Sequence, residues 1–515
     1  MLKKLKDNKF EIIVFFLITL LFKPLWLFNN NNLGMPGDDM SYWLHSATLA
    51  FDHDLDYSND YKLDSNIFNS ETNAPSHPPG AGYLASPFVF FLSQFDGLIE
   101  SSVQNTRTNP VKSFAYLGFF ISGLFYTYLG TFLLSKILKK FHNKYASLLL
   151  FCGLLSTLIH FVTTRFLMAH ATEFFLCSAL IYIFEKNENK YLNSAEITSL
   201  FLTYFLLATT RPSTFLYSLV LIFFYRKKFN FNIKSNFIYL TQFLVFSTFY
   251  VLISNKLYKK NFMFLNTYGE NMNEYTSTLN FEQLLYGILK LPNLFFSPNM
   301  GITFSTPIIF LAMIIFFTKQ FKNKENMLDV FFLFLFFGAS SMPLLIWQGR
   351  EVAYGQRLLI GIIPFCTLLT CKYLKDNRQI LIAKLLTGIS YIGYLLFYSS
   401  EKLTLKPGVT LWGTQVGFTA ENYYIEVLKA FTNFETILSA LLRNIYVVDF
   451  LKFFNLRSFL QDSSLLNDIN VKQVDNFLRF TDTYYNLNIY YLALVNISIF
   501  VFSYFYTRLI FNMRS

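Results

Sequence analysis

Cysteine is scarce: four in 515 residues. Cys152, Cys177, Cys366 and Cys371 all fall inside apolar runs, and the polar segments contain none. That excludes a disulfide framework and a thiolate metal cluster. Charge is also sparse. Asp, Glu, Lys and Arg make up 15% of the chain, against 53% hydrophobic and 20% aromatic residues, at a mean hydropathy of +0.36. A soluble globular protein of this length needs far more polar surface, so the composition predicts a polytopic membrane protein. A glycine-rich phosphate loop of the usual kind is missing, which argues against a nucleotide site. So is a basic groove interleaved with aromatics. The net charge of +11 is spread in small groups between apolar runs, so no nucleic-acid partner is expected. The start, Met1-Leu2-Lys3-Lys4-Leu5-Lys6, lacks a small-residue cleavage site after its apolar run and reads as an uncleaved signal anchor.

Long apolar runs are what the chain has in quantity. They fall at 10–28, 112–135, 145–163, 168–184, 196–209, 213–225, 236–255, 302–318, 328–347, 357–374, 379–399 and 489–509, which predicts about 12 membrane helices in an all-α protein. The runs 196–209 and 213–225 are short and divided by Arg211-Pro212. Lysine-rich loops set the orientation. Lys3, Lys4, Lys6 and Lys9, then Lys136–Lys144, Arg226–Lys234, Lys319–Lys324 and Lys372–Arg378 fall on one side, with the C-terminus. By the positive-inside rule that side is cytoplasmic. Lys256, Lys259 and Lys260 are the cluster that disagrees. Counting 81–98 as a further span would invert every later basic loop, so it is expected to lie along the outer interface without crossing. Residues 29–110 then form a large outer loop holding ten acidic residues and two basic ones, Lys62 and Arg107. Further outer segments cover 256–301 and 400–488, the latter with an amphipathic stretch at 436–454. The expected division is a transmembrane module at 1–399, an outer, acceptor-side segment at 400–488, and a last membrane helix with an inner tail at 489–515.

Threaded this way, the unusual polar residues gather on the outer face. Asp38, Asp39 and His77 come from the first loop. Arg165, His170 and Glu173 come from the turn after the third run. Arg211 caps the fifth run, and Arg350, Glu351, Tyr354 and Arg357 precede the tenth. Ionisable residues at a membrane exit are functional candidates by default. A carboxylate can take a proton from a hydroxyl, and arginines can hold a phosphate and stabilise it as a leaving group.

Gly37-Asp38-Asp39 with Tyr42, Asp52-His53-Asp54-Leu55-Asp56 with Asn59-Asp60-Tyr61, and His77-Pro78-Pro79-Gly80 together resemble the first outer loop of GT-C membrane glycosyltransferases. These include bacterial polyprenyl-phosphate-sugar transferases and protein mannosyltransferases. Thr210-Arg211-Pro212, Ser297-Pro298-Asn299-Met300-Gly301 with Pro307, and Trp347 with Tyr354-Gly355-Gln356-Arg357 are similar to later stretches of that family. The resemblance covers roughly residues 10–375. It implies a polyprenyl-phosphate-linked sugar donor and a lipid, glycan or protein acceptor. It also implies an active site on the periplasmic or extracellular face of the cytoplasmic membrane. The first acid of the pair, Asp38, is implied to be the catalytic base, with Asp39 its neighbour. The family usually has Asp-Glu where this chain has Asp38-Asp39. Donor contacts are implied for His77, Arg165, His170, Arg211, Tyr354 and Arg357.

Each of these has a plainer reading. Asp38-Asp39 could be a solvated turn or a cap. Asp52, Asp54, Asp56 and Asp60 could be a solvated acidic face or a loose divalent-cation site. An EF-hand from Asp52 would need Gly at 57 and Glu at 63, where the chain has Tyr57 and Leu63. His77 could only shape a turn, His170 and Glu173 could be a satisfied polar pair on one helix face, and Arg211 and Arg357 could snorkel. The alternatives to a transferase are an O-antigen ligase or polymerase, whose chemistry would sit in the late outer segment, and a transporter, which would show inverted repeats and broken helices meeting at the midplane, whereas the charges here gather at one face.

Overall fold

The computed structural model describes residues 2–22, 37–58, 72–99, 113–141, 143–155, 157–163, 165–187, 190–263, 295–296, 301–319, 356–374, 376–399, 404–406, 409–410 and 489–513. Over these residues the chain is mostly helical, as composition predicts. The small exception is an antiparallel ladder of β1 (Thr404–Lys406) and β2 (Val409–Thr410). The expected run 328–347 and the amphipathic stretch 436–454 lie outside the described residues, so the twelve spans are not all accounted for. Among the described residues, three helices are long and apolar enough to cross a bilayer: Phe114–Phe141, Ile233–Tyr258 and Ala493–Phe511.

Helix α1 covers Leu2–Leu21. Phe22 follows it as a bend, and the rest of the expected run, 23–28, lies outside the described residues. Helix α2 is Gly37–Phe51 and α3 is Gly80–Ser93, followed by a 3-10 turn at Asp96–Ile99. Helix α4, Phe114–Leu138, has its first N–H groups satisfied twice over. Ser113 accepts from the amide of Tyr116, and Asp96 Oδ1 accepts from the amide of Phe114 at 2.5 Å. Burial pushes the Asp96 carboxyl up to about 6, against the lowering effect of those amides.

Helix α3 does not lie as its sequence position suggests. The hydroxyl of Tyr126 donates to the carbonyl of Leu84, Gly118 meets Phe88, and Asp96 meets Phe114. So α3 runs antiparallel along α4, parallel to the axis of a candidate span, and not across it. Gly118 permits this approach: a Cβ there would stand 2.5 Å from the backbone oxygen of Phe88.

The run 145–163 is not one helix either. It is α5 (Ala146–Leu154) and α6 (Thr157–Thr163), bent by 56°. Next come α7 (His170–Glu185) and α8 (Ser194–Thr210), the latter started by a reciprocal Asn193–Glu196 capping box. Pro212 opens α9 (Pro212–Ser218), and α10 follows at Val220–Phe224. Helix α11, Ile233–Tyr258, is mainly apolar yet buries only Ser254, Leu257 and Tyr258 near its end, with Ile233 91% and Phe237 70% exposed. Such a helix suits lipid, not water. The run 302–318 breaks into α12 (Ile302–Ser305) and α13 (Pro307–Lys319) at Thr306, the residue before Pro307. Residues Arg357–Ile362 are a 3-10 turn leading into α14 (Ile363–Tyr373), and α15 is Asn377–Ser399. The breaks meet: Thr157 Oγ1 lies 2.8 Å from Thr306 Oγ1, and the amide of Gln356 donates to Thr157 at 3.2 Å. Helix α16, Ile489–Phe511, packs on α1 and α4, with Tyr506 buried between Phe22 and Tyr128.

The bundle has two chemically different ends. At one, Lys140 donates to the carbonyls of Glu185 and Lys186, Lys228 donates to that of Asn187, and Asn143 donates to those of Cys371 and Leu374. The opposite end gathers acids, arginines and histidines.

Candidate functional site

The first turn of α2 carries Asp38 and Asp39, where carboxylates complement the helix dipole. The side chain of Asp38 lies outside the described residues. Asp39 is fully buried, and its Oδ2 accepts two N–H groups of Arg165, from Nε at 3.1 Å and Nη2 at 2.7 Å. Arg165 sits in the turn between α6 and α7, with its side chain 20% exposed.

A second acid–arginine node lies one turn further on. Glu173, fully buried in the first turn of α7, takes His170 Nδ1 on Oε2 at 2.9 Å and the hydroxyl of Thr214 on Oε1 at 2.5 Å. Arg211 Nε stands 3.9 Å from the same Oε2. Tyr217 closes the cluster, its hydroxyl lying 2.7 Å from that of Thr214 and 3.1 Å from the carbonyl of Leu358, with one hydrogen to give to either. Gly361 is required here, because a Cβ would come within 2.6 Å of the Thr214 methyl and 2.9 Å of Glu173 Oε1. Arg357 opens the adjacent 3-10 turn and points Nη1 at the sulfur of Met168, 3.9 Å away. Met168 in turn bonds the carbonyl of Arg165, so one tight turn, 165–170, joins the two nodes.

The third group is built on the first loop. His45 Nε2 lies 2.8 Å from the carbonyl of His77 and must donate to it. Nδ1 is then the acceptor for the hydroxyl of Tyr57 at 2.6 Å, and Tyr83 donates to Tyr57. Burial holds the His45 imidazole down to about 3, so it is neutral at physiological pH. The same His77 carbonyl accepts from Tyr258 at the end of α11, at 2.7 Å, which ties the loop to that helix. The His77 ring faces Ser41 Oγ at 3.2 Å and Tyr42.

The structure therefore brings Asp39 to Arg165, His170 and Arg211 to Glu173, and Arg357 to Met168 of the same turn, while His77 belongs to a hydrogen-bonded group beside α2. Tyr354, Arg350 and Glu351 lie outside the described residues. The acidic run behaves as turn-forming residues: Asp54 Oδ1 accepts from the amide of Asp56, and Asp56 Oδ1 from that of Ser58, which holds the Asp56 carboxyl below its usual range. Among the described residues no group of three His, Cys, Asp or Glu side chains is gathered for a metal. Glu173 as a hub, and His45 with its tyrosines, are what the sequence under-weighted. A carboxylate inside the apolar run 168–184 was the signal for the first. The second has no local signal, since its partners come from three separate segments. Neither protein-family models nor curated proteins give a match to this chain.

Proposed function

We propose that the chain is an inverting membrane glycosyltransferase of the GT-C kind, with about 12 helices. It moves one sugar from a polyprenyl-phosphate carrier to a hydroxyl of a lipid, glycan or protein at the outer face of the cytoplasmic membrane. The observation that carries this is the Asp39–Arg165 contact in the first turn of α2, joined through one turn to His170, Arg211 and Arg357. A carboxylate pair and several guanidiniums at one end of an apolar bundle suit proton abstraction beside a departing phosphate.

In this scheme Asp38 deprotonates the acceptor. Asp39 is the poorer base because two N–H groups already occupy one of its oxygens, so its role is to fix α2 and Arg165. Arg357 and Arg211 take the phosphate as the glycosidic bond breaks. The lysine-rich end of the bundle is cytoplasmic, together with both termini, which places the acid–arginine end outside. Residues 400–488 contribute to the choice of acceptor.

The test is transfer by the purified protein from radiolabelled undecaprenyl-phosphate sugars to extracted membrane lipids, glycans or protein, with Asp38→Asn as the comparison. Label moves with the wild type and not with the variant. Equal transfer by the two removes Asp38 as the base, and no transfer from any polyprenyl-phosphate sugar removes the proposal.

A further inference from the structure

His170 is fully buried, and its ring is fixed from two sides, by Glu173 at Nδ1 and by the Phe161 ring at 4.4 Å. Its other nitrogen, Nε2, is buried and has no hydrogen-bond partner among the described residues. The chemistry of Nδ1 decides what Nε2 can do. Glu173 accepts from Thr214 on one oxygen and has Arg211 near the other, so it is an acceptor toward the ring. Nδ1 therefore carries the hydrogen, and the neutral ring leaves a bare lone pair at Nε2. A lone pair cannot donate to a phosphate oxygen. It can accept from an O–H, and a buried acceptor left unsatisfied is costly.

Arg211 stands 3.9 Å from the Glu173 oxygen that holds the ring. An unpartnered acceptor in a cluster that also holds a guanidinium matches a ligand that presents a hydroxyl next to an anion.

We propose that His170 accepts a hydroxyl of the transferred sugar through Nε2, leaving the phosphate to Arg211 and Arg357. This rests on the transferase reading above and narrows the donor contact expected of His170 to a hydroxyl of the sugar, which makes it a determinant of sugar specificity. Glu173 is the positioning residue that sets the tautomer. Glu173→Gln inverts it: the carboxamide oxygen stays with Thr214, its NH2 donates to Nδ1, and Nε2 then carries the hydrogen and rejects a donor hydroxyl.

The experiment uses the full chain in lipid nanodiscs with 15N-labelled histidine. Nitrogen shifts report directly which ring atom bears the hydrogen. The probes are farnesyl phosphate and a panel of farnesyl-phosphate-linked hexoses. The expected result is an unprotonated Nε2 in the resting wild type, shifted by at least one hexose-bearing probe and not by farnesyl phosphate. Glu173→Gln should move the hydrogen to Nε2 and lower kcat/KM for that hexose about 10–100-fold. A hydrogen on Nε2 of the wild type overturns the assignment. So does an Nε2 that farnesyl phosphate perturbs as much as the hexose probes do, or that no member of the panel perturbs. The wild-type spectrum needs no folded variant. A hexose probe that shifts Nε2 without being transferred sustains the hydroxyl site while overturning the transferase reading.

Discussion

Arg165 sets two of its N–H groups on a single oxygen of Asp39, across 126 residues of chain. The acid is buried and the guanidinium is largely so. Removing either partner leaves a charge that the fold has taken out of water. Arg165→Ala and Asp39→Ala should each cost about 2–4 kcal/mol, while the double variant should cost clearly less than the sum. Thermal unfolding in detergent of the four proteins completes the cycle, and strict additivity would contradict the contact.

Asp38 and Asp39 should separate by readout. Asp38→Asn is expected to lower transfer by about 10²–10⁴-fold with little change in Tm. Asp39→Asn should lower Tm together with transfer, because its carboxylate anchors Arg165. Tm and single-turnover transfer measured on the same preparations distinguish the two.

Acid should act through His45. Its imidazole is neutral when folded, with a value depressed to about 3, whereas the unfolded chain protonates it near 6.5. Its contribution is complete above pH 6.5 and is lost as the pH falls toward 3, by about 1.4 kcal/mol per pH unit. Asp96, raised to about 6, works with the opposite sign: its contribution is full below 3.8 and is lost as the pH rises through 6. Between pH 6 and 4 the wild type should therefore show a shallow slope. Asp96→Asn should steepen the loss on acidification, and His45→Gln should abolish it. Tm against pH for the three proteins is the check.

Gly118→Ala should destabilise by about 1–3 kcal/mol, despite the better helix propensity of alanine. The new methyl meets a backbone oxygen of α3, which cannot swing aside as a side chain would. Gly388 in α15 is the control, since a Cβ there meets nothing within 4 Å. Gly388→Ala should stabilise by about 0.5–1 kcal/mol. Equal Tm changes at the two sites would remove the close α3–α4 approach.

Several site residues were legible because their signal is a polar group in an apolar setting. Asp39, in the loop after the first apolar run, and Arg165, just past the end of the third, prove to be partners. His170 and Glu173, three apart on one helix, do bond each other, and they are also part of a larger cluster with Arg211, Thr214 and Tyr217. His77 was singled out for its ring, yet its carbonyl does the structural work, accepting from His45 and Tyr258. A backbone oxygen has no residue-type signature, so nothing in the sequence could mark it.

Hydropathy, helix caps and proline positions are local properties, and they alone determined that this chain is helical and suited to a membrane, with helices starting at Ser113, Asn193 and Pro212. Which faces meet is not local. The antiparallel lie of α3 on α4, the bend within 145–163, the meeting of the helix breaks at Thr157 and Thr306, and the tautomer that Glu173 imposes on His170 were decided only in the folded bundle. Each depends on close contact between side chains or backbone groups from separate segments, and an apolar run carries no record of the neighbour it will pack against.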